Sequence, residues 1–508
     1  MVKFSKYNAI GLIIFISLVY LFTLRGIAGN LLPSQYGTGK LKVNRPPFET
    51  SMERGRYAQI VAFSKTKDFY VDEFHNFLSP DIAWYNGHYY STFPVGTSLI
   101  AFPLYFIGSI FHLSQVFSFS VSALFSILTA YLIFKISKYL GLSYQAAFFS
   151  SICYSLASVA WAYSVTLSAH PISAFIVTWG FLVFLEISES KSNYRNFMIL
   201  WLLFGLCLFI DYVDLIIFIP ILFASILKVL YLANKNVESE IKIPIAPFIG
   251  SVGFVCIFVL FIIFNLTHYN RPIAFTNSYS IKYIGNSNLS NEVLDNIKYE
   301  NRFSFSRIVS GAQVLLFSKD RGILFFSPVF LLSIVGFFIL KKEKKLVTLV
   351  LFYSFLLNVV IYAMYDDPWG GWSFGSRYLI ATIPLLSLLC GVAFDYLNNK
   401  FGIKSKIVIY TLLFYSVGIA GLGAFTTNAV PPSVEVIHTN IPDNFVSNWR
   451  YLQNNGTSSF LYSLFFHNLV NPKQYFFIIL FIIGLLLAFI IFSEKSSMSM
   501  GKTRRIKV

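Results

Sequence analysis

Asp72, Glu73, Asp81, His88 and Tyr90 fall within "YVDEFHNFLSPDIAWYNGHYYS", residues 70–91. A carboxylate within hydrogen-bond reach of an acceptor hydroxyl removes its proton as that oxygen attacks. Asp72, Glu73 and Asp81 are therefore candidates for a general base. The plainer alternative is that they are solvated loop acids or helix caps, with Asp81 in "SPD" ending a turn.

Cations that could hold an anion occur much later. Lys319 and Arg321 lie in "SKDRG" (318–322), and Arg377 in "YDDPWGGWSFGSRY" (365–378). Guanidinium groups hold phosphate with two parallel hydrogen bonds. A phosphate leaving group has to be stabilised as its charge develops. The competing reading is of membrane-edge cations reaching for lipid head groups. Trp369 and Trp372 offer aromatic faces to a sugar ring, although interfacial tryptophans look the same in sequence. His88, Tyr90, His170, Asp367, Trp369 and Trp372 complete the candidate substrate contacts. His88 and His170 are also candidate metal or phosphate ligands, against the alternative of simple hydrogen bonding. A divalent metal is compatible with this set but not demanded by it. "YGTGK" (36–40) lacks the first glycine and the Ser/Thr of a phosphate loop.

These residues sit in a chain that is mostly hydrocarbon. Of 508 residues, 56% are hydrophobic and only 12% charged, which points to a polytopic membrane protein rather than a soluble one. A net charge of +16 would suggest nucleic acid in a soluble protein. In a membrane protein it belongs to Lys/Arg-rich cytoplasmic loops, and no nucleic-acid partner is expected. Cys153, Cys207, Cys256 and Cys390 all lie in apolar runs and show no metal or disulfide spacing. The first apolar run follows Lys3 and Lys6 but precedes no small-residue cleavage site, so it reads as an uncleaved first helix.

Apolar runs long enough to cross the bilayer fall near 8–25, 116–135, 145–166, 171–188, 196–211, 214–232, 245–267, 322–340, 346–365, 378–395, 407–425 and 475–492. The fold class expected is thus an all-α bundle of about twelve transmembrane helices. The run 97–111 is short and broken by Pro103. If it does not cross, and the amino terminus is cytoplasmic, then Lys135/Lys138, Lys191/Arg195, Lys228/Lys235/Lys242, "KKEKK" (341–345), Lys400/Lys404/Lys406 and the tail "GKTRRIKV" all face the cytoplasm. The run 97–111 is then interfacial. Loops 26–115, 268–321 and 426–474 fall outside, with short outer connections near 167–170, 211–214 and 366–377. Every unusual polar residue, Asp211 and Asp214 included, lands on that outer face, where costly ionisable groups usually mark a functional cavity.

With that pattern in place, the chain resembles the polytopic glycosyltransferases of the GT-C fold, which use a polyprenyl-phosphate sugar as donor. Asp72-Glu73 occupies the place of that family's acidic pair in a long first outer loop. "NGHYYSTFPVGTSLIAFPLYFIG" (86–108), "RGILFFSPVFLLSIVGF" (321–337) and "WGGWSFGSRYLIATIPLL" (369–386) resemble its later segments. The resemblance covers most of residues 1–395. Asp72 lies nearly 50 residues after the first span, farther than in many relatives, which keeps Asp81 in play as the base. Residues 426–508 match no such pattern. The organisation implied is a catalytic membrane domain over 1–425, followed by an outer loop, a last helix and a basic cytoplasmic tail over 426–508.

The resemblance implies an inverting transfer in the cell membrane, with the active site extracytoplasmic and both termini cytoplasmic. The sugar would pass from a polyprenyl-phosphate donor to a hydroxyl of a glycan, lipid or protein. Asp72 would be the base, with Asp81 and then Glu73 next in order. Arg377, with Arg321 or Lys319, would hold the phosphate. A transporter or flippase of lipid-linked saccharides, or a lipid-linked glycan polymerase or ligase, is the alternative. Against a transporter, no two halves of the sequence resemble one another, and the charges gather at one face.

Overall fold

A computed structural model of the chain describes residues 2–32, 48–78, 81–189, 194–234, 244–276, 302–438 and 440–492. The tail 501–508, "YGTGK", Lys191, Lys235 and Lys242 lie outside the described residues, as do parts of loops 268–321 and 26–115.

Where no water is available, a segment must satisfy its own backbone N–H and C=O groups, and apolar runs do so as helices. Among the described residues, six helices are long and apolar enough to cross a membrane by length and composition. They are Ser114–Tyr139, His170–Ser188, Val213–Asn234, Ala246–Tyr269, Lys345–Met364 and Lys404–Phe425. Shorter apolar helices accompany them at Ala9–Thr23, Tyr194–Ile210 and Pro472–Ala488. Each of the twelve expected segments carries helix, though not each as one continuous span.

Two expected spans are interrupted for visible reasons. Segment 145–166 becomes Tyr144–Ser155 and Ala160–Ser164. Near the break, Ser151, Ser155 and Ser158 donate to carbonyls four residues back, a pairing that bends helices. Segment 322–340 becomes Ile323–Phe326, a 3₁₀ turn at Pro328–Phe330 and Leu331–Glu343. Pro328 has no N–H to continue the helical ladder. The run 97–111 is the helix Gly96–Ile110, 15 residues long. At about 1.5 Å per residue it is shorter than a hydrocarbon layer of roughly 30 Å.

The chain is not wholly helical. Ile82–Tyr85 and His88–Ser91 pair antiparallel, with Tyr85 opposite His88. Asn86 and Gly87 both take positive φ, 50° and 84°, as the tight turn of a two-residue hairpin requires. The Asn-Gly dipeptide between aromatic strands outweighs the helical character of the rest of the chain.

The helix Tyr144–Ser155 and the first part of Ile383–Phe401, as far as Phe394, lie in the interior, whereas Ala246–Tyr269 exposes Val255, Val259 and Ile263, as a lipid-facing helix does. One buried ion pair gathers the ends of the chain. Arg25 Nη1 donates to Glu49 Oε2 at 2.9 Å. The same oxygen accepts from the Thr427 hydroxyl at 2.9 Å and the Asn428 N–H at 2.8 Å. Arg25 Nε donates to Ala424 O at 3.3 Å. The segment after Phe425 is thereby held against the start of the helix Ser51–Thr66.

Candidate active site

All six segments expected on one face contribute to one cavity of about 600 Å³. That is the scale of a small-molecule site. Its lining includes Glu49 to Met52, Arg54, Arg56, Asp81, Thr92 to Pro94, His170, Asp211 to Val213, Arg302, Tyr362 to Tyr378 in part, and Glu435. Another hollow, of about 440 Å³, lies between Asn455 and Gln474 and is lined by no carboxylate, Lys or Arg.

Arg56 Nε, Arg377 Nε and His170 Nε2 are among the buried lining nitrogens that have no hydrogen-bond partner among the described residues. Arg56 is 3% exposed and His170 is 6% exposed. The Arg56 guanidinium lies 4.4 Å from the Phe93 ring centroid, and its Nη1 donates to Met52 O at 3.3 Å. Burial lowers its pKa to about 10, against the pull of Asp211, so it stays cationic at neutral pH. Arg377 follows the Gly370–Gly371 bend, 5.2 Å from the Tyr378 ring centroid, with Nη1 3.5 Å from Met52 Sδ. Arg54 also lines the cavity, whereas Arg302 is paired with Asp366 at 3.1 Å. A buried N–H without an acceptor is costly, and an anion reaching it supplies one.

The carboxylates are held differently. Asp81 precedes the first strand of the hairpin and accepts a hydrogen bond from the Ser51 hydroxyl. Asp211 stands between two helices, accepting from Val213 N–H at 3.2 Å and Tyr362 Oη at 3.4 Å. Burial pushes its carboxyl up, opposed by that N–H and by Arg56. Burial also raises Asp367, opposed by Arg377. Tyr362 stacks on Tyr378 at 4.1 Å between ring centroids. Glu435 accepts from Trp372 Nε1 at 2.6 Å at the rim.

Of the residues expected at the site, the structure brings Asp81, His170, Asp367, Trp372 and Arg377 to the cavity. It places Asp72, Glu73, His88, Tyr90, Lys319, Arg321 and Trp369 elsewhere. Asp72 is exposed and serves the hairpin, accepting from Tyr89 N–H at 2.6 Å and lying 2.8 Å from His88 Nδ1. His88 stacks on Tyr70 at 4.0 Å. Glu73 pairs with Lys65 in solvent at 2.9 Å. Tyr90 donates to His268 O at 2.9 Å. Lys319 is exposed, 3.8 Å from Asp443. Arg321 is fully buried and donates to the carbonyls of Trp369, Asp320, Asp443, Gly371 and Val430. A guanidinium so occupied is a backbone strut, and Trp369 is one of its acceptors.

Arg54 and Arg56, in "SMERGRYAQ", were the functional candidates that sequence reasoning missed. Nothing in their spacing announces burial. Asp211 is legible as an acid between two apolar runs, but Tyr362, which donates to it, and Arg56, whose charge acts on it, are remote in sequence. Among the described residues, no three His, Cys, Asp or Glu side chains are grouped to hold a metal ion.

No family model and no curated protein matches the chain. Solved structures similar to it include apo ArnT from Cupriavidus metallidurans, at 14% identity and a TM-score of 0.48, covering 81% of this chain and 63% of that one. The same protein bound to undecaprenyl phosphate is 16% identical, with a TM-score of 0.46, covering 82% of this chain and 69% of that one. The apo oligosaccharyltransferase of Archaeoglobus fulgidus is 11% identical, with a TM-score of 0.46, covering 89% of this chain and 60% of that one. The chain thus spans less than two thirds of the first and third of these.

Proposed function

We propose that the chain is a membrane glycosyltransferase of the GT-C type. It transfers a sugar from a polyprenyl-phosphate donor to an acceptor hydroxyl on the extracytoplasmic face, with inversion. The observation that carries this reading is the convergence of Arg56, Arg377 and His170, each with an unmet buried nitrogen, on a cavity that also holds Asp81. In this reading Arg56 and Arg377 hold the donor phosphate and His170 donates to it through Nε2.

Asp81, rather than Asp72, is then the base. It takes the acceptor hydroxyl proton while the acceptor oxygen bonds to the anomeric carbon. The bond from that carbon to the phosphate oxygen breaks, and its electron pair leaves on polyprenyl phosphate. Arg56 and Arg377 stabilise the charge that develops there. Ser51 donates to Asp81 and restricts where the carboxylate points. The acceptor is a glycan, lipid or protein bearing a hydroxyl.

The test is binding of decaprenyl phosphate to the purified protein, followed by transfer assays with a panel of polyprenyl-phosphate sugars. Arg56→Gln and Arg377→Gln should each weaken lipid phosphate binding about tenfold or more, the loss expected for one charge-assisted contact. Absence of saturable binding by the wild type would defeat the proposal. Movement of lipid-linked sugar across vesicles without donor consumption would replace it with the transporter reading.

A further inference from the structure

The charges lining the cavity constrain the sugar as well as the phosphate. Five carboxylates, of Glu49, Asp81, Asp211, Asp367 and Glu435, face four guanidinium groups, of Arg54, Arg56, Arg302 and Arg377. Glu49 is engaged by Arg25 and Arg302 by Asp366, both outside the lining. The remainder hold more carboxylates than cations before any donor arrives, and a donor phosphate adds further negative charge. Asp211 and Asp367 form no ion pair among the described residues. Asp211 receives only Val213 N–H and Tyr362 Oη, both neutral donors. Around them stand the rings of Tyr365 and Trp372 and the stacked pair Tyr362 and Tyr378, each of which covers one face of the other.

Carboxylates accept several hydrogen bonds and donate none when ionised. Beside aromatic rings they suit a ligand rich in hydroxyl donors, and they repel a second anion at short range. The buried, partnerless His170 Nε2 in the same cavity marks the space as built for a ligand rather than as a chance cluster of acids.

We infer that the transferred sugar carries no negative charge, and that Asp211 and Asp367 select it by accepting hydrogen bonds from its hydroxyls. This rests on the donor site proposed above. Asp81 deprotonates the acceptor, whereas Asp211 and Asp367 hold the donor sugar and take no proton in the step.

The test compares three ligands on the purified full chain: decaprenyl phosphate, a decaprenyl-phosphate neutral hexose and a decaprenyl-phosphate uronic acid. The hexose donor should bind more tightly than the bare lipid phosphate, and the uronate donor about tenfold more weakly than the hexose donor or worse. Asp211→Asn and Asp367→Asn should each narrow the hexose-to-uronate ratio without weakening bare lipid phosphate, whose binding also reports that the variants are folded. Equal binding of hexose and uronate donors by the wild type overturns the inference while leaving the phosphate site intact. So does an unchanged ratio in both variants. Failure of bare decaprenyl phosphate to bind overturns the donor site and this inference with it.

Discussion

The Ser51 hydroxyl donates to Asp81 Oδ2, so the first residue of the helix Ser51–Thr66 orients a carboxylate that enters from the hairpin. Asp81→Asn removes the base and should lower transfer by roughly 10²–10⁴-fold, the usual range for general acid–base catalysis. Asp72→Asn should leave turnover within a few-fold of wild type. Its expected cost is about 1 kcal/mol of stability, through weaker hydrogen bonds to Tyr89 N–H and His88. Rates measured with saturating donor separate the two. Full activity in Asp81→Asn, or its loss in a well-folded Asp72→Asn, would reverse the assignment.

Arg321 and Lys319 are two residues apart and should behave oppositely. Removing the Arg321 side chain takes a donor from five carbonyls, of which Trp369 O and Val430 O keep the hydroxyl and N–H of Ser373. Arg321→Ala should cost at least about 3 kcal/mol, and Arg321→Lys should rescue it incompletely because an ammonium lacks the planar fork. Lys319→Ala removes a 70%-exposed side chain from a 3.8 Å contact with Asp443. Its cost should stay within about 0.5 kcal/mol. Thermal unfolding in detergent distinguishes them. An Arg321→Ala protein as stable as wild type but unable to bind lipid phosphate would restore Arg321 to the donor site.

Gly370 controls where the Arg377 guanidinium can sit. Its φ is +72°, and an added Cβ would lie 2.8 Å from Arg377 Nε. At Gly371 φ is +59°, but the nearest atom to an added Cβ, Asp367 Oδ2, is 3.7 Å away. Both alanine variants carry left-handed backbone strain of about 1–2 kcal/mol. Only Gly370→Ala also displaces the guanidinium. Its affinity for decaprenyl phosphate should fall about tenfold below that of Gly371→Ala. Equal affinities would show that Arg377 is not held by this bend.

What the sequence reveals and what it hides differ in physical kind. Charge parity of the loops is additive along the chain, so it grouped residues near 50, 81, 170, 211, 302, 370 and 435 on one face without any knowledge of packing. Those residues do line one cavity. Which acid enters the cavity is a different kind of fact. Asp72 and Asp81 have the same chemistry and lie nine residues apart. The Asn86–Gly87 turn sets the hairpin register, and Asp72 then caps its outer end while Asp81 falls beside Ser51. Arg321 was equally opaque. Its role depends on carbonyls from residues 320, 369, 371, 430 and 443, and no local pattern encodes that convergence.

Glu53 lies in the first turn of the helix Ser51–Thr66, 1% exposed, between the cavity-lining Met52 and Arg54, and provides a pH test of the buried packing there. Its Oε2 accepts from Glu49 N–H at 2.8 Å and Thr50 N–H at 3.4 Å, while Oε1 is buried with no partner. Burial, and then the nearby Glu49 carboxylate, raise its pKa to about 7, against the pull of Arg25. A carboxyl raised on folding binds its proton more tightly in the folded state than in the unfolded one. The stability this contributes is complete below the ordinary carboxylate pKa and is lost as pH rises through about 7. Over that window the loss should be about 3 kcal/mol. Glu53→Gln keeps an oxygen for the two N–H groups but cannot ionise, so its stability should not show this decline. Unfolding curves for both proteins from pH 4.5 to 8 should therefore diverge progressively, with the variant the more stable at the alkaline end. Curves that stay parallel across the window would mean that Glu53 ionises normally and that its surroundings are wetter than its burial implies.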